Sequence, residues 1–292
     1  MPAAEVEITT ERVAALLRAQ HPDLAGPLRP VANGWDNVVY RLGDDLSVRL
    51  PRRQAAVELI RNEQRWLPVL ARLVRVAVPV PVRLGRPDDR FPWPWSVNRW
   101  LAGHPALDWP VARRRRLAVD LAAFMADLHR PAPPDAPRNP VRGVPLRDRA
   151  AAVGQRLASG RVPHAGRLRA IWEELLETPE WDGPAVWLHG DPHPGNLIVD
   201  ERGRLAGVVD FGDLTAGDPA TDLAAAWLVF DAEGRETFRR ELRRRGAFDP
   251  HTWARARGWA LNLGTALLSA GVLAPVGAHA LTGVLQGARA AA

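Results

Sequence analysis

Apolar residues over 8–19 recur at helical spacing, and Thr9 or Thr10 stands where a capping hydroxyl belongs, so the chain is expected to open on an amphipathic helix. Two short runs, 38–42 and 46–50, read as strands, and Gly43-Asp44-Asp45 between them signals a hairpin. Helical spacing returns over 55–73, where Val57, Ile60, Leu67, Leu70 and Leu73 fall largely on one face. Pro68 should bend or restart that helix, because it brings no N–H to the ladder. Apolar residues alternate with Pro79 and Pro81 over 76–84, which predicts an edge strand. Residues 95–101 predict a further strand.

Past Gly103 the pattern turns helical. Residues 111–129 predict one long amphipathic helix, 130–147 a loop rich in Pro and Arg, and 148–158 and 166–176 two more helices. Short strands reappear at 197–199 and 205–210 around a turn at 200–203, and from Pro219 onward the chain reads as mainly helical. The expectation is an α+β chain: a small sheet-containing N-terminal lobe over 1–100 and a larger, mainly helical lobe over 101–292, with the hinge near 98–103. No internal repeat is visible.

Composition narrows the class. The chain has 292 residues, 47% hydrophobic and 25% charged, normal for a protein that buries a core. It has no cysteine, which excludes disulfides and thiolate chemistry. The polar, acidic start MPAAEVEITTERVAALL does not read as a signal peptide. The apolar stretch 258–284 is broken by Asn262, Pro275 and His279, so a buried helix pair is expected there rather than a membrane span. A cytoplasmic enzyme fits these features. The pI of 11.1 suggests nucleic acid, but every basic residue is arginine, which inflates the pI, and 33 acidic residues are interspersed with the 39 basic ones. Arginine clusters at 113–116 and 239–245 are read as solvated helix faces, so neither a nucleic-acid nor a membrane partner is expected.

The chemistry concentrates in WLHGDPHPGNLIVDERGRLAGVVDFGD, residues 187–213. The predicted hairpin brings Asn196, just before one strand, toward Asp210, just after the other. Both carry hard oxygen donors of the kind magnesium accepts alongside water and phosphate oxygens. Asp191, five residues before Asn196, is placed to accept or orient the proton of an attacking hydroxyl. Gly190, Gly195 and Gly212 allow sharp turns between them. Any one of these residues alone would be an ordinary cap or turn; Asp218-Pro219, for example, suits an N-cap and first helical position. His189 and His193 flank Asp191 as H-x-D-x-H, which leaves a metal-dependent hydrolase as a rival.

With those residues in hand, the chain resembles the aminoglycoside phosphotransferase family, which shares the protein-kinase-like fold. HGDPHPGN resembles that family's catalytic loop and VVDFGD its metal-binding segment, and the resemblance spans roughly residues 27–261. It implies a magnesium-dependent small-molecule kinase using ATP or GTP. Asp191 would be the catalytic aspartate, with Asn196 and Asp210 as magnesium ligands. His189 would shape the loop through hydrogen bonds, and His193 would contact the γ-phosphate. NGWDNVVYRL resembles the nucleotide loop between the first two strands, with Gly34 and Asn37 near phosphate. Arg49 would take the place of the strand lysine that binds the α- and β-phosphates, and Glu63 would be its ion-pair partner. The segment 96–101, including Asn98 and Trp100, would receive the base. A catalytically silent nucleotide-binding protein on the same fold is the alternative.

The acceptor is open. Asp213, with Asp218, Asp222, Asp231 and Glu233 behind it, would suit a cationic acceptor such as an aminoglycoside, making drug resistance an expectation of the resemblance. Trp227, Phe230, Trp253 and Trp259 would suit an apolar one, unless they are core.

Overall fold

The computed structural model describes residues 2–24, 26–246 and 248–287. The chain divides into two compact units, Met1–Ala102 with Gly207–Gly212, and Gly103–Ala206 with Asp213–Ala292. The return of 207–212 to the first unit is not apparent in the sequence pattern. It follows from local bonding: Val208 N–H donates to the Ala77 carbonyl at 2.9 Å, and Gly207 bridges Ala77. A Cβ at Gly207 would lie 2.6 Å from the Leu101 side chain, so glycine permits that approach.

The first unit is a five-stranded antiparallel sheet with two helices. Its strands are β1 (Leu28–Asn33), β2 (Asn37–Leu42), β3 (Leu46–Pro51), β4 (Pro81–Gly85) and β5 (Trp95–Arg99), in the order β1-β2-β3-β5-β4. Prolines fall at both edges: Pro30 beside a bulge in β1, and Pro81 beside one in β4, where a missing N–H costs no ladder bond. β1 is mostly exposed and has no alternation of buried and open positions, which is why its pattern predicts no strand. Helix α1 (Thr10–Gln20) is capped by Thr9, whose hydroxyl accepts from Arg12 N–H at 3.2 Å. It lays Val13, Leu16 and Leu17 on a core with Tyr40, Val48, Leu50, Trp95 and Val97. Helix α2 (Val57–Leu70) follows a 3-10 turn over Gln54–Ala56 and carries Pro68 within its last turn.

The second unit is mainly helical. The single helix expected over 111–129 is three pieces: α3 (Val111–Arg114), a 3-10 turn over Arg115–Leu117, and α4 (Ala118–Leu128). The break coincides with the arginine run. Arg114 is buried and donates to the carbonyls of Ala106, Leu107 and Trp109, while Arg115 pairs with Asp231 at 2.7 Å. Half of this cluster is therefore internal wiring, while Arg113 and Arg116 are exposed as a solvated face. In the second cluster, Arg239 stacks over Trp253, Arg243 pairs with Glu236 and Arg244 pairs with Glu241.

Short strands β6 (His104–Pro105), β7 (Val186–Leu188), β8 (Leu197–Val199), β9 (Leu205–Val208) and β10 (Thr215–Gly217) frame the motif region. β7 pairs with β10, and β6 with β8. Helices α5 (Ala150–Ala158), α6 (Ala165–Leu176), α7 (Ala220–Leu223), α8 (Ala225–Leu228), α9 (Ala232–Arg244), α10 (Pro250–Leu267) and α11 (Ala274–Gly287) supply the rest. The apolar stretch 258–284 falls in α10 and α11, which meet through glycines: a Cβ at Gly277 would lie 2.6 Å from the Gly264 carbonyl. Among the described residues no helix is long and apolar enough to cross a membrane. Trp227, Phe230, Trp253 and Trp259 are all buried, as core packing requires.

Candidate active site

In the first unit, Arg49 on β3 is the hub. Its Nη2 donates to Glu63 Oε1 at 2.9 Å and to Asp210 Oδ1 at 2.7 Å. Its Nε lies 2.9 Å from Glu63 Oε2, close enough for an ion pair but without hydrogen-bond alignment. Glu63 is buried on α2; burial drives its pKa up to about 7, with Asp210 pushing the same way and Arg49 opposing. Burial alone would lower the Arg49 pKa, but the two carboxylates outweigh it and hold the guanidinium firmly protonated. Two carboxylates thus share one cation. Asp210 has φ of 61°, left-handed backbone that is uncommon for any residue but glycine. Its side chain is 52% exposed, so an oxygen-seeking ligand has access to it.

The loop between β1 and β2 is closed upon itself. Gly34 N–H donates to the Asn37 carbonyl at 2.9 Å, and Arg52 donates to the Gly34 carbonyl at 2.7 Å. Asn37 is buried, and its Oδ1 has no hydrogen-bond partner. Asn98 is buried in β5, and its Oδ1 also lacks a partner. Trp100 N–H already donates to the Asp45 carbonyl at 2.7 Å, and its ring stacks against the Arg41 guanidinium. The next amide, Leu101 N–H, makes no hydrogen bond among the described residues, and it closes the segment 96–101 that the sequence was expected to offer to the base.

In the second unit, the loop from His189 to Asn196 is fixed by its own hydrogen bonds. His189 is fully buried, and its Nδ1 accepts from Asp191 N–H at 3.2 Å. Asn196 Nδ2 donates to the Asp191 carbonyl at 2.9 Å, as does His193 N–H at 2.9 Å. Pro194–Asn196 forms a 3-10 turn capped by His193, whose Nδ1 accepts from Gly195 N–H at 3.0 Å. That bond makes Nε2 the protonated nitrogen, and Nε2 faces Asp191 Oδ2 at 3.5 Å. His193 thus addresses the Asp191 carboxylate in this arrangement rather than standing open to a phosphate.

Gly190 has φ of 88°, and a Cβ there would lie 2.3 Å from the Asp213 carbonyl. Arg142, from the long loop after α4, donates to the Gly190 carbonyl at 2.7 Å. Its Nη2 lies 3.0 Å from Asp213 Oδ2 and 3.9 Å from Asp191 Oδ1. Asn139 Nδ2 adds a 2.8 Å bond to Asp213 Oδ1. Arg142 and Asn139 were invisible in the sequence because they belong to a Pro- and Arg-rich stretch with no motif of its own.

The remaining acidic candidates are structural. Asp222 is fully buried, and its two oxygens accept the N–H groups of His189 and Gly190 at 2.8 Å each, with His129 Nε2 at 3.2 Å. Burial pushes its pKa up, but His129, His189 and the backbone bonds outweigh that and lower it. Asp218 pairs with buried Arg255 at 2.7 Å and accepts from Ala220 N–H at 3.0 Å; the N-cap of α7 is Pro219, one residue later than the Asp-Pro context predicts. Asp231 caps α9 and pairs with Arg115, which also reaches Glu233. Each of these four thus has a partner within the second unit, and Asp218 with Arg255 also lines a cavity there.

Known proteins resemble the chain in sequence and in fold. The phosphotransferase enzyme family model matches residues 27–259. The structure of wild-type aminoglycoside 2'-phosphotransferase-IIIa in its GDP complex aligns with a TM-score of 0.72 at 20% identity, covering 97% of this chain and 99% of that one. Macrolide 2'-phosphotransferase MphH from Brachybacterium faecium aligns with a TM-score of 0.62 at 25% identity, covering 92% and 97%. The uncharacterized protein YcbJ of Bacillus subtilis (strain 168) is 34% identical over 60 residues, a match that spans only 20% of each chain.

Proposed function

The chain belongs to the phosphotransferase enzyme family, the aminoglycoside phosphotransferases that its motifs resemble, and on that premise we propose that it moves the γ-phosphoryl group of ATP or GTP to a hydroxyl of a small molecule. The single observation that carries this reading is the fixation of Asp191: the His189 ring binds its N–H, the Asn196 amide binds its carbonyl, and His193 Nε2 faces its carboxylate at 3.5 Å. With its backbone pinned and its side chain a quarter exposed, this carboxylate is organised to accept a proton rather than to stabilise the fold.

In the reaction, the acceptor oxygen bonds to the γ-phosphorus as the bond to the β,γ-bridging oxygen breaks. The bond's electrons leave with the nucleoside diphosphate, and the hydroxyl proton passes to Asp191. Arg49, held by Glu63, neutralises the α- and β-phosphates, and Leu101 N–H offers a donor to the base. Catalysis is then mostly positioning and charge compensation.

The residues fit magnesium better than a transition metal. Asp210 offers an exposed carboxylate, and Asn196, with its Nδ2 committed to Asp191, offers Oδ1. Among the described residues no group of three His, Cys, Asp or Glu side chains could hold a metal ion, and the Nδ1 atoms of His189 and His193 both accept backbone N–H groups. These features count against the hydrolase reading. Each of these side chains would supply one hard oxygen to magnesium, and the ion would offset the charge of the transferring phosphoryl group.

The test is turnover of ATP and GTP with magnesium over a panel of aminoglycosides, macrolides and small alcohols, with Asp191→Asn in parallel. Acceptor-dependent nucleotide consumption that the variant loses, at nearly unchanged nucleotide affinity, supports the proposal. Nucleotide binding with no turnover across the panel, or a variant as fast as the parent, rejects it.

A further inference from the structure

Three arginines at seven-residue intervals, Arg142, Arg149 and Arg156, run from the catalytic loop into α5. Arg142 touches Asp213 and approaches Asp191. Arg149 closes the 3-10 turn Leu146–Arg149 that leads into α5; its Nε is buried, and it makes no hydrogen bond or ion pair among the described residues. Arg156 is held only by neutral acceptors: Asn262 Oδ1 at 2.5 Å, the Asn262 carbonyl at 3.3 Å and Thr265 Oγ1 at 3.0 Å. A half-buried guanidinium without an ion-pair partner is unusual, since buried charge is normally paired. Arg149 and Arg156 are two such cations, about two helical turns apart, the first at the start of α5.

The cations also feel one another. Burial lowers the pKa of Arg149, Arg142 lowers it further, and only Asp148 opposes. Burial, then Arg149 and Arg142, push Arg156 down to about 10. Arginine keeps its proton at such values, so the direction reports positive potential without a countercharge. Asp213 is already paired with Arg142 and bonded by Asn139, and Asp218, Asp222 and Asp231 have partners elsewhere in the second unit. Beside these answered carboxylates, Arg149 and Arg156 are two guanidinium groups with no ion pair among the described residues.

We propose that Arg149 and Arg156 form an anion subsite of the acceptor pocket, so that the phosphorylated molecule is a small hydroxyl compound bearing an oxyanion group, a carboxylate or phosphate, rather than a polycation. This rests on the phosphotransferase reading for the hydroxyl and Asp191. Arg149 is free to donate a two-pronged hydrogen bond to such an oxyanion. Arg156, pinned by Asn262 and Thr265, adds charge from a fixed position. Arg142 stays with the catalytic loop, bonded to the Gly190 carbonyl and paired with Asp213.

The experiment uses one diol with three end groups: glycerate, glycerol and 3-aminopropane-1,2-diol. Binding to the full chain, saturated with ADP and magnesium so that the nucleotide site is filled, is read by calorimetry and ligand-observed NMR. Glycerate should bind at least about 10-fold more tightly than the other two, and Arg149→Gln and Arg156→Gln should each weaken glycerate by about 10-fold, the scale of a lost charge-assisted bond. Arg149→Lys should recover part of the loss. Arg149→Gln breaks no contact of the folded chain, so an unchanged melting temperature shows that the variant is folded. Equal or tighter binding of the aminodiol, glycerate affinity untouched by Arg149→Gln, or no glycerate binding up to tens of millimolar would each overturn the subsite. Adding ATP separates the two readings. Turnover of a cationic acceptor that is indifferent to Arg149→Gln overturns the subsite and keeps the kinase. Selective glycerate binding without turnover of any acceptor keeps the subsite and counts against the kinase.

Discussion

Asp222 accepts the Gly190 amide at 2.8 Å from a position with no solvent exposure, and it does the same for His189, so one buried carboxylate ties down the start of the catalytic loop. Asp222→Ala would leave two buried N–H groups unanswered. Each such group costs about 1–3 kcal/mol, so a loss of roughly 2–5 kcal/mol in unfolding free energy is expected by urea denaturation. Asp222→Asn keeps one acceptor and should lose less. Equal stability of the alanine variant and the parent would show that the loop does not depend on this anchor.

The same carboxylate gives a pH dependence. Its folded pKa lies below the ordinary 3.8, because His129, His189 and the loop amides outweigh the burial that would raise it. A depressed carboxylate pKa contributes stability that is present in full above the unfolded value and is lost as pH falls through the folded one. Stability should therefore drop below about pH 3.8 more steeply in the parent than in Asp222→Asn. Acid titrations of the two proteins by circular dichroism check this, and parallel curves would remove Asp222 as the source.

Where residue type alone carries the role, the sequence was legible. The spacing of Asp191 and Asn196 and the hairpin between Asn196 and Asp210 are written in polar residues and glycines, and the Arg49–Glu63 pair has local helix and strand context. What stayed hidden has a physical reason in each case. β1 is exposed on nearly every residue, so no alternation marks it. Arg142, Asn139 and Asp222 act through contacts 48 and 74 residues away for the first two and 32 for the third, and no local pattern encodes such pairs. The partners of the acidic residues after Asp210, namely Arg115, Arg142 and Arg255, are equally remote in sequence.

Arg49 should govern nucleotide affinity. Hydrogen bonds to charged groups contribute about 1.5–3 kcal/mol, so Arg49→Ala should weaken ATP or GTP binding roughly 10- to 100-fold by calorimetry. The variant also strands Glu63, which is buried and already inclined to protonate, so Arg49→Ala combined with Glu63→Gln should be more stable than Arg49→Ala alone. Arg49→Lys keeps the charge but loses the fork that spans Glu63 and Asp210, and should fall between the two. Unchanged affinity in Arg49→Ala would remove this residue from the nucleotide site.

Gly190 meets two demands that no other residue meets together. Its φ of 88° is strained for any side chain, and a Cβ would press to 2.3 Å from the Asp213 carbonyl, a backbone atom that cannot swing away. Gly190→Ala must therefore move either the loop or the segment carrying Asp213. Moving the loop breaks the 2.8 Å bond from Gly190 to Asp222 and shifts Asp191, the next residue. Moving Asp213 disturbs its contacts with Arg142 and Asn139. Backbone strain of this kind costs about 1–3 kcal/mol, which should appear as a lowered unfolding free energy. Catalysis should suffer more than stability, since a misplacement near 1 Å can cost about 100-fold in rate. Arg49 and Glu63 belong to the other unit, so nucleotide affinity should stay near that of the parent. The expected signature is a kcat reduced by about two orders of magnitude with nucleotide KM little changed. A fall in nucleotide affinity as large as the fall in kcat would mean that the substitution disrupts more than the loop.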